Sequence, residues 1–340
     1  MAVNFGIIGF GRMAELAHKP NIDKTPGAKL LAVCDITPAR REAAKAAGIP
    51  RVYASLGELL KDPDIDAVSV VTPSHNHCKL ALQVAKAGKH VLSEKPVSRS
   101  AAELKKTIAA IRKTGKLFTV YHNRRFDADF LAAKKIVHQK LVGDVVLFEG
   151  RWHLYGSAAG FGVKEYNQKW RETKRFGGGI LLDLGVHMLD QLNQLAIGKP
   201  TQVFGSMFGG VWAKDCDDLA SGMIKFDDGM TAIIEVSGLT KAKLPRYRIT
   251  GTKGMAVLNA EKKCFDIYLG NTDTPNKTLS IDKPNMGSNV YRGFVAAIKD
   301  RRKKPAVTPE SVVTTMQLID AYVASDRTGK SVAITGPRVK

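Results

Sequence analysis

A glycine motif between a predicted strand and a predicted helix restricts the possible folds of this chain more than any other part of its sequence. The apolar run Val3 to Ile8 is followed directly by Gly9-Phe10-Gly11-Arg12-Met13-Ala14. In a strand-turn-helix unit, the first glycine permits a tight turn, the second lets the backbone approach a pyrophosphate, and the small last residue lets the helix pack closely. The free N–H groups at the start of the helix favour a bound phosphate. By itself the motif is also typical of an ordinary tight turn.

An acidic residue at the end of the second predicted strand supports dinucleotide binding. Asp35 follows the strand from Lys29 to Cys34, at the distance from the glycine motif where a carboxylate accepts hydrogen bonds from the adenosine ribose. A carboxylate there repels a 2′-phosphate, so the sequence favours NAD over NADP. Arg40 and Arg41 could offer a counter-charge to that phosphate, although solvated helix residues are the more ordinary interpretation. NADP therefore stays possible.

Strand and helix patterns alternate through the first third of the chain. Predicted strands cover residues 3–8, 29–34, 67–71, 90–93 and 117–121, with helices at 12–22, 38–47, 77–87 and 101–114. Near-continuous apolar strands in this order indicate a parallel sheet that is covered on both faces. We therefore predict an α/β doubly wound Rossmann domain that binds NAD(P) over residues 1–123.

The rest of the chain carries longer predicted strands in hairpin order. They cover residues 144–155, 201–211, 220–226, 231–238, 246–251 and 255–258, with two helices at 182–196 and 309–324. Turn residues separate neighbouring strands, as at Asp227-Asp228-Gly229 and Thr252-Lys253-Gly254. This pattern predicts an α+β domain with a large, mostly antiparallel open sheet over residues 124–340.

Composition and charge exclude several kinds of partner. The 52 Lys and Arg residues outnumber the 32 Asp and Glu residues, which gives a formal net charge of +20. The basic cluster from Arg301 to Lys304 lacks the aromatic residues and the motif of a nucleic-acid-binding surface, so we expect no nucleic acid partner. The apolar stretches fall short of the roughly 18 residues that cross a bilayer, and no signal-peptide pattern precedes the first strand. We expect a cytoplasmic protein without a membrane partner.

The cysteines give no sign of a metal site. Four of them, Cys34, Cys78, Cys216 and Cys264, lie far apart and form no C-x-x-C pair. That spacing argues against a zinc site and against a disulfide framework. We expect reduced thiols and no bound metal.

Two short motifs contain candidates for chemistry. Lys95 lies in Ser93-Glu94-Lys95-Pro96 at the end of the fourth predicted strand, where ligands of open parallel sheets bind. Its ammonium group could stabilise negative charge that develops on a hydroxyl oxygen. A surface lysine before a loop proline would produce the same local sequence.

The second motif places a carboxylate and an imidazole together. Gly177-Gly178-Gly179 leads into Asp183 and His187, which lie at i and i+4 on one face if a helix begins at Asp183. Oxidation of an alcohol needs a base for the hydroxyl proton, and an imidazole is well suited to that role. A carboxylate at a helix start beside a partly buried histidine would give the same pattern without catalysis.

Taken together, these motifs resemble the Gfo/Idh/MocA oxidoreductase family, which includes glucose-fructose oxidoreductase and inositol dehydrogenase. The resemblance rests on the glycine motif, Thr72-Pro73-Ser74-His75-Asn76-His77, Glu94-Lys95-Pro96 and the run from Gly177 to His187. It implies Lys95, Asp183 and His187 as the catalytic set, with His187 as the acid/base, and a cis bond between Lys95 and Pro96. It also implies that the open sheet joins subunits into a homodimer or homotetramer. Ser74 departs from the family, since many members have Asn there.

The predicted cofactor site combines the glycine motif with the ends of later strands. Its members are Gly9, Phe10, Gly11, Arg12, Met13, Ala14, Asp35, Thr72, Pro73, His77, Glu94 and Lys95. The segments from Tyr121 to Asp127 and from Pro245 to Gly254 are similar to the branch of the family that contains scyllo-inositol dehydrogenases. Several members of that branch use NADP, whereas the charge of Asp35 favours NAD. We give the greater weight to Asp35.

The predicted substrate is a sugar, a cyclitol such as inositol, or a sugar derivative that is oxidised at a secondary hydroxyl. Polyols need several hydrogen-bonding groups and an aromatic face, which His122, Asn123, Arg124, Trp152, Tyr155 and Trp170 could provide. Interdomain packing would explain any one of these residues equally well. Two other functions stay open: a sensor that binds NAD(P) without chemistry, and a hydrolase or lyase in which the hydride returns to the substrate.

Overall fold

The computed structural model describes residues 1–158, 162–242, 244–281, 284 and 286–334. The chain forms two compact units. The first consists of Met1–Asn123, Ala158–Gly178 and Gly287–Val313, and the second of Arg124–Ser157, Gly179–Met286 and Thr314–Lys340. The first segment of the first unit ends where the sequence predicts a domain boundary, and two later segments belong to the same unit.

The first unit is built on a parallel sheet. Its strands are β1 (Val3–Ile8), β2 (Ala28–Cys34), β3 (Arg51–Tyr53), β4 (Ala67–Val70), β5 (His90–Ser93) and β6 (Phe118–Val120). Their order is β3-β2-β1-β4-β5-β6, and each neighbouring pair is parallel. The central strands are buried along nearly their whole length, as their continuous apolar sequences require. The predicted doubly wound class is confirmed.

Helices connect the strands of this sheet. They are α1 (Lys19–Asp23), α2 (Pro38–Ala46), α3 (Leu56–Lys61), α4 (His77–Lys86) and α5 (Ala101–Arg112). A wider π-type turn, Ala14–His18, precedes α1. The sequence analysis missed β3 and α3, although Ser55 caps α3 by accepting a hydrogen bond from the N–H of Glu58. Both elements are too short for periodicity to identify.

The second unit contains a nine-stranded sheet. Its strands are β7 (Val145–His153), β8 (Pro200–Gly209), β9 (Asp217–Phe226), β10 (Thr231–Ser237), β11 (Tyr247–Gly251), β12 (Gly254–Asn259), β13 (Cys264–Leu269), β14 (Lys277–Ser280) and β15 (Val332–Ala333). The order is β14-β13-β12-β11-β7-β10-β9-β8-β15. Among the described strands of this sheet, only β7 and β10 form a parallel pair. The predicted mostly antiparallel sheet is therefore confirmed.

The later part of the chain has more helices than the two that the sequence analysis predicted. It contains α6 (Ala128–His138), α7 (Val186–Leu195), α8 (Asn289–Lys299) and α9 (Val313–Thr328). Of these, α8 belongs to the first unit, and the other three lie mainly in the second. None of the helices in the described ranges is long and apolar enough to cross a membrane.

A buried ion pair joins three elements of the second unit. The guanidinium group of Arg125 donates to both carboxylate oxygens of Asp190 on α7, over 2.8 and 2.7 Å. Thr315 on α9 donates a further hydrogen bond to Asp190. The side chains of Arg125 and Asp190 are only 8% and 2% exposed, so each charge depends on the other for its compensation.

We predict that Asp190→Asn lowers the free energy of unfolding by about 3 kcal/mol or more, because it leaves the Arg125 charge buried without its partner. The measurement is the unfolding transition in urea followed by circular dichroism. Glu42→Gln is the control, because it breaks an exposed ion pair with Lys45 and should cost less than about 1 kcal/mol. Equal stability losses for the two variants would contradict the prediction.

Candidate active site

The turn after β1 contains two glycines with different roles. One is required by the backbone, and the other leaves space for a ligand. Gly9 has a φ of +90°, and a Cβ atom there would lie 2.8 Å from the carbonyl oxygen of Val71. Gly11 differs, because a Cβ atom there would meet nothing within 4 Å. The backbone at Gly11 is therefore open to a close ligand, and a side chain would occupy that space. This geometry fits the pyrophosphate of a dinucleotide.

The Asp35 carboxylate holds the same turn in place. Its Oδ2 atom accepts a hydrogen bond from the N–H of Phe10 over 2.7 Å, and its Oδ1 atom accepts one from Thr37 over 2.8 Å. A carboxylate has about four acceptor positions, so two remain for ribose hydroxyl groups. The next residue, Ile36, is 73% exposed and offers an apolar surface beside this carboxylate. These features fit the adenosine end of the cofactor.

The two arginines of α2 have different environments. Arg40 is not the solvated helix residue that the sequence suggested, because its side chain is only 9% exposed and pairs with Glu15 over 2.7 Å. It also donates to the carbonyl oxygen of Phe10 over 2.7 Å. Arg41 donates to the carbonyl oxygens of Asp35 and Ile36. Arg40 thus supports the glycine turn. Arg41 lies beside Asp35, the carboxylate that is expected to favour NAD over NADP.

His77 links the loops that follow β4 and β5. Its ring nitrogens lie 2.7 Å from the carbonyl oxygens of Thr72 and Pro96, and the side chain is buried. Burial lowers the pKa of His77, against the opposing effect of these two carbonyl groups. This predicted cofactor residue therefore has both ring nitrogens engaged within the protein, and it positions the backbone at Thr72 and Pro96.

Glu94 and Lys95 form a turn directly after β5. The Glu94 carboxylate accepts a hydrogen bond from the backbone N–H of Lys95 over 2.9 Å, and its other oxygen lies 2.8 Å from the ring of His18. Burial raises the pKa of Glu94, but the His18 hydrogen bond and nearby positive charge outweigh burial and lower it overall. The bond between Lys95 and Pro96 is cis, as the resemblance implies.

In the second unit, Asp183 and His187 lie on consecutive helical turns. Asp183 belongs to a π-type turn, Leu181–Gly185, and His187 is the second residue of α7. The helical segment therefore begins at Leu181, one residue before the predicted start at residue 182. The ring of His187 stacks on the indole of Trp152, with a centroid distance of 5.8 Å.

Two arginine side chains lie over the ring of Trp152. The guanidinium carbons of Arg124 and Arg246 lie 5.0 and 4.5 Å from the indole centroid. Arg124 pairs with Asp127 over 3.2 Å, and Arg246 pairs with Asp129 over the same distance. Each positive charge on the indole is thus paired with a carboxylate.

Asp217 is a residue of this site that the sequence analysis missed. Its Oδ2 atom accepts a hydrogen bond from the N–H of Leu181 over 2.6 Å, at the start of the segment that carries Asp183. A Cβ atom on Gly179 would collide with its Oδ1 atom, and this glycine has a φ of +111°. Burial raises the pKa of Asp217 to about 6 in spite of hydrogen bonds from the Leu181 and Ile180 backbone. No local motif points to Asp217, because it lies on another strand.

The remaining predicted substrate residues divide between the two units. His122, Asn123 and Trp170 belong to the first unit, and His122 is fully buried. Tyr155 belongs to the second unit and is 53% exposed, with its ring against Trp212 and Lys241. The structure therefore brings Trp152 to His187 and Arg124 to the other residues around the indole, but Tyr155 contacts Trp212 and Lys241. Among the described residues, no group of three or more His, Cys, Asp or Glu side chains could hold a metal ion.

Comparison with known proteins agrees with this geometry. The oxidoreductase family with an NAD-binding Rossmann fold matches residues 3–122, and the Gfo/Idh/MocA C-terminal domain matches residues 130–257. The class of the protein is therefore an NAD(P)-dependent oxidoreductase that acts on CH–OH groups. The chain belongs to the Gfo/Idh/MocA family.

Individual relatives cover between 78% and 99% of this chain. It is similar to the scyllo-inositol 2-dehydrogenase (NADP(+)) of Bacillus subtilis (strain 168), with 27% identity over 98% of this chain and 96% of that protein. The scyllo-inositol 2-dehydrogenase (NAD(+)) of the same bacterium is 27% identical over 78% of this chain and 79% of that protein. An NAD-binding protein from Listeria innocua has a TM-score of 0.87 and 30% identity, over 99% of this chain and 98% of that chain. The relatives thus include both cofactor types.

We predict that alanine at Gly9 lowers stability, whereas alanine at Gly11 weakens NAD binding. Gly9→Ala should lower the free energy of unfolding by about 2 kcal/mol or more, since it combines a collision with an unfavourable φ. Gly11→Ala should leave stability within about 0.5 kcal/mol and weaken NAD binding at least about tenfold. Thermal unfolding and calorimetric titration with NAD measure the two effects. Wild-type NAD affinity in Gly11→Ala would contradict this assignment.

Proposed function

We propose that this enzyme transfers a hydride between NAD and a secondary hydroxyl carbon of a cyclitol, a sugar or a sugar derivative. The observation that carries the proposal is the imidazole of His187 stacked on Trp152 at the start of a helix. An imidazole fixed in this way can exchange a proton with a hydroxyl group in a defined direction. The roles that the family resemblance implies for Lys95 and Asp183 complete the set.

Each member of the set has a separate chemical task. When bound, the nicotinamide ring supplies the site that accepts or donates the hydride. His187 takes the hydroxyl proton during oxidation and returns it during reduction. The Asp183 carboxylate orients the imidazole or shares its proton, and the Lys95 ammonium group stabilises negative charge on the substrate oxygen.

The charge around Trp152 favours a neutral substrate. Two arginines lie on the indole, but Asp127 and Asp129 pair with them, so the positive charges are compensated locally. A carboxylate or phosphate on the substrate would compete with these partners. Hydroxyl groups match the mixture of donors and acceptors, and an aromatic ring suits the apolar face of a cyclic polyol. The names of the two Bacillus subtilis relatives support the same substrate class.

We predict that Lys95→Ala and His187→Ala each lower turnover by about 100-fold or more while NAD affinity changes little. Turnover is measured from the absorbance of reduced nicotinamide across a panel of cyclitols and sugars. The matched controls are Lys79→Ala and His138→Ala, which alter exposed side chains of the same types. Unimpaired turnover in either test variant would remove that residue from the mechanism.

The same panel separates the proposal from its alternatives. Tight NAD binding with no turnover of any polyol would favour a sensor. Product formation with only catalytic amounts of NAD, and without net reduction of the nicotinamide, would favour a hydrolase or lyase. A dehydrogenase forms one reduced nicotinamide for each molecule of substrate that it oxidises.

We predict that NAD binds more tightly than NADP, because the Asp35 carboxylate repels a 2′-phosphate. Asp35→Asn keeps the side-chain shape and removes the charge, so the ratio of the NADP and NAD dissociation constants should fall about tenfold or more. Arg41→Gln is the companion variant and tests whether Arg41 binds the phosphate. Tighter binding of NADP to the wild type would show the interpretation of Asp35 to be wrong.

A further inference from the structure

A line of hydrogen bonds connects α8 to the turn that contains Lys95. The hydroxyl of Tyr291 on α8 lies 2.6 Å from Nδ1 of His18, and Nε2 of His18 lies 2.8 Å from Oε1 of Glu94. The other Glu94 oxygen accepts the backbone N–H of Lys95. Ser69 lies 3.0 Å from the same tyrosine hydroxyl. All of these groups belong to the first unit.

The line is buried from end to end. Tyr291, His18 and Ser69 are 0% exposed, and Glu94 is 6% exposed. A carboxylate in such a place stays ionised only when hydrogen-bond donors compensate its charge. The pKa of Glu94 is nevertheless lowered, and the hydrogen bond from His18 is the largest contribution that opposes burial. Glu94 therefore depends on His18 for its charge.

The chemistry of the partners fixes the position of each hydrogen. An ionised Glu94 can only accept, so Nε2 of His18 carries the hydrogen that it donates. In the neutral imidazole, Nδ1 is then an acceptor, and the Tyr291 hydroxyl must donate to it. Burial raises the pKa of Tyr291 well above its usual value, which keeps this hydroxyl protonated. Glu94 thus selects the histidine tautomer, and the Tyr291 hydroxyl stabilises that tautomer by donating to Nδ1.

We propose that Tyr291 is a positioning residue for Lys95 and acts through His18 and Glu94. Without the tyrosine hydroxyl, Nδ1 of His18 loses its donor, and the ring is held at Glu94 alone and can turn. The bond that compensates Glu94 then weakens, so Glu94 takes up a proton more readily and holds the Lys95 backbone less firmly. This inference rests on the proposed function for the role of Lys95 in turnover.

Tyr121 provides a closely matched control. Its ring lies 4.3 Å from the His18 ring, centroid to centroid, but its hydroxyl accepts a hydrogen bond from Asn21. Tyr121→Phe keeps the ring contact with His18 and removes a hydroxyl outside the line. Tyr291→Phe removes the hydroxyl within it. Both substitutions keep the shape of a buried ring.

The first experiment compares the two variants by turnover and by nitrogen NMR of the histidine rings. For Tyr291→Phe we expect kcat to fall about fivefold or more and NAD affinity to stay within about twofold. The Nδ1 chemical shift of His18 should move toward that of a ring nitrogen that accepts no hydrogen bond. Tyr121→Phe should keep the wild-type kcat and spectrum.

The second experiment uses no substrate. Because the pKa of Glu94 is lowered in the folded protein, its contribution to stability is present above the pKa of an unfolded glutamate and is lost as the pH falls through the folded-state pKa. The melting temperatures of wild type and Tyr291→Phe should therefore differ most near neutral pH and converge in acid. For Tyr121→Phe the difference should not depend on pH.

The two experiments distinguish the failure of this inference from the failure of the proposed function. Wild-type kcat in Tyr291→Phe, an unchanged histidine spectrum or a pH-independent stability difference would each overturn the positioning role. If the wild type turns over no polyol, the proposed function fails, while the NMR and melting experiments still decide whether Tyr291 controls His18 and Glu94.

Discussion

The alignment of strand ends in the parallel sheet is the constraint on which the cofactor half of this protein depends. Parallel pairing of β1 with β2 and β4, and of β4 with β5, places the carboxyl ends of these strands at one edge. The residues that follow them, Gly9, Asp35, Thr72 and Glu94, therefore meet there although they are spread over the first hundred residues. The turn after β1 is then fixed by contacts with the other strands, including the Asp35 hydrogen bond to Phe10.

In the second unit, the segment from Gly179 to Leu195 is held from several directions. Asp217 accepts from its first turn, Trp152 stacks on His187, and Arg125 pairs with Asp190 one turn later. Each contact comes from a different part of the chain, and each involves a group that is costly to bury alone. A helix start without such partners would leave N–H groups unsatisfied and free to shift. The geometry of His187 is thus a product of the whole unit.

Much of the fold could be predicted from local pattern. Apolar runs located β1, β2, β4, β5 and β6, since a strand that is buried on both faces has a continuous apolar sequence. The polar edge strand β14 and the very short strands β3 and β15 lack such a pattern and were missed, and β13 was missed although its residues are apolar except for Asp266. Arg40 was interpreted as solvated because its sequence neighbours are polar, whereas its side chain is buried between Glu15 and the Phe10 carbonyl.

By itself, the sequence determined the class of fold, the glycine turn, the acidic residue after β2 and the residues expected to carry the reaction, because each of these depends on a short stretch of chain. Only the tertiary structure decided which carboxylate caps the His187 segment, how Arg40 supports the glycine turn, and how Tyr291 reaches Glu94 through His18. The physical reason is distance along the chain. Buried polar groups must find partners, and those partners come from strands and helices that no local pattern connects.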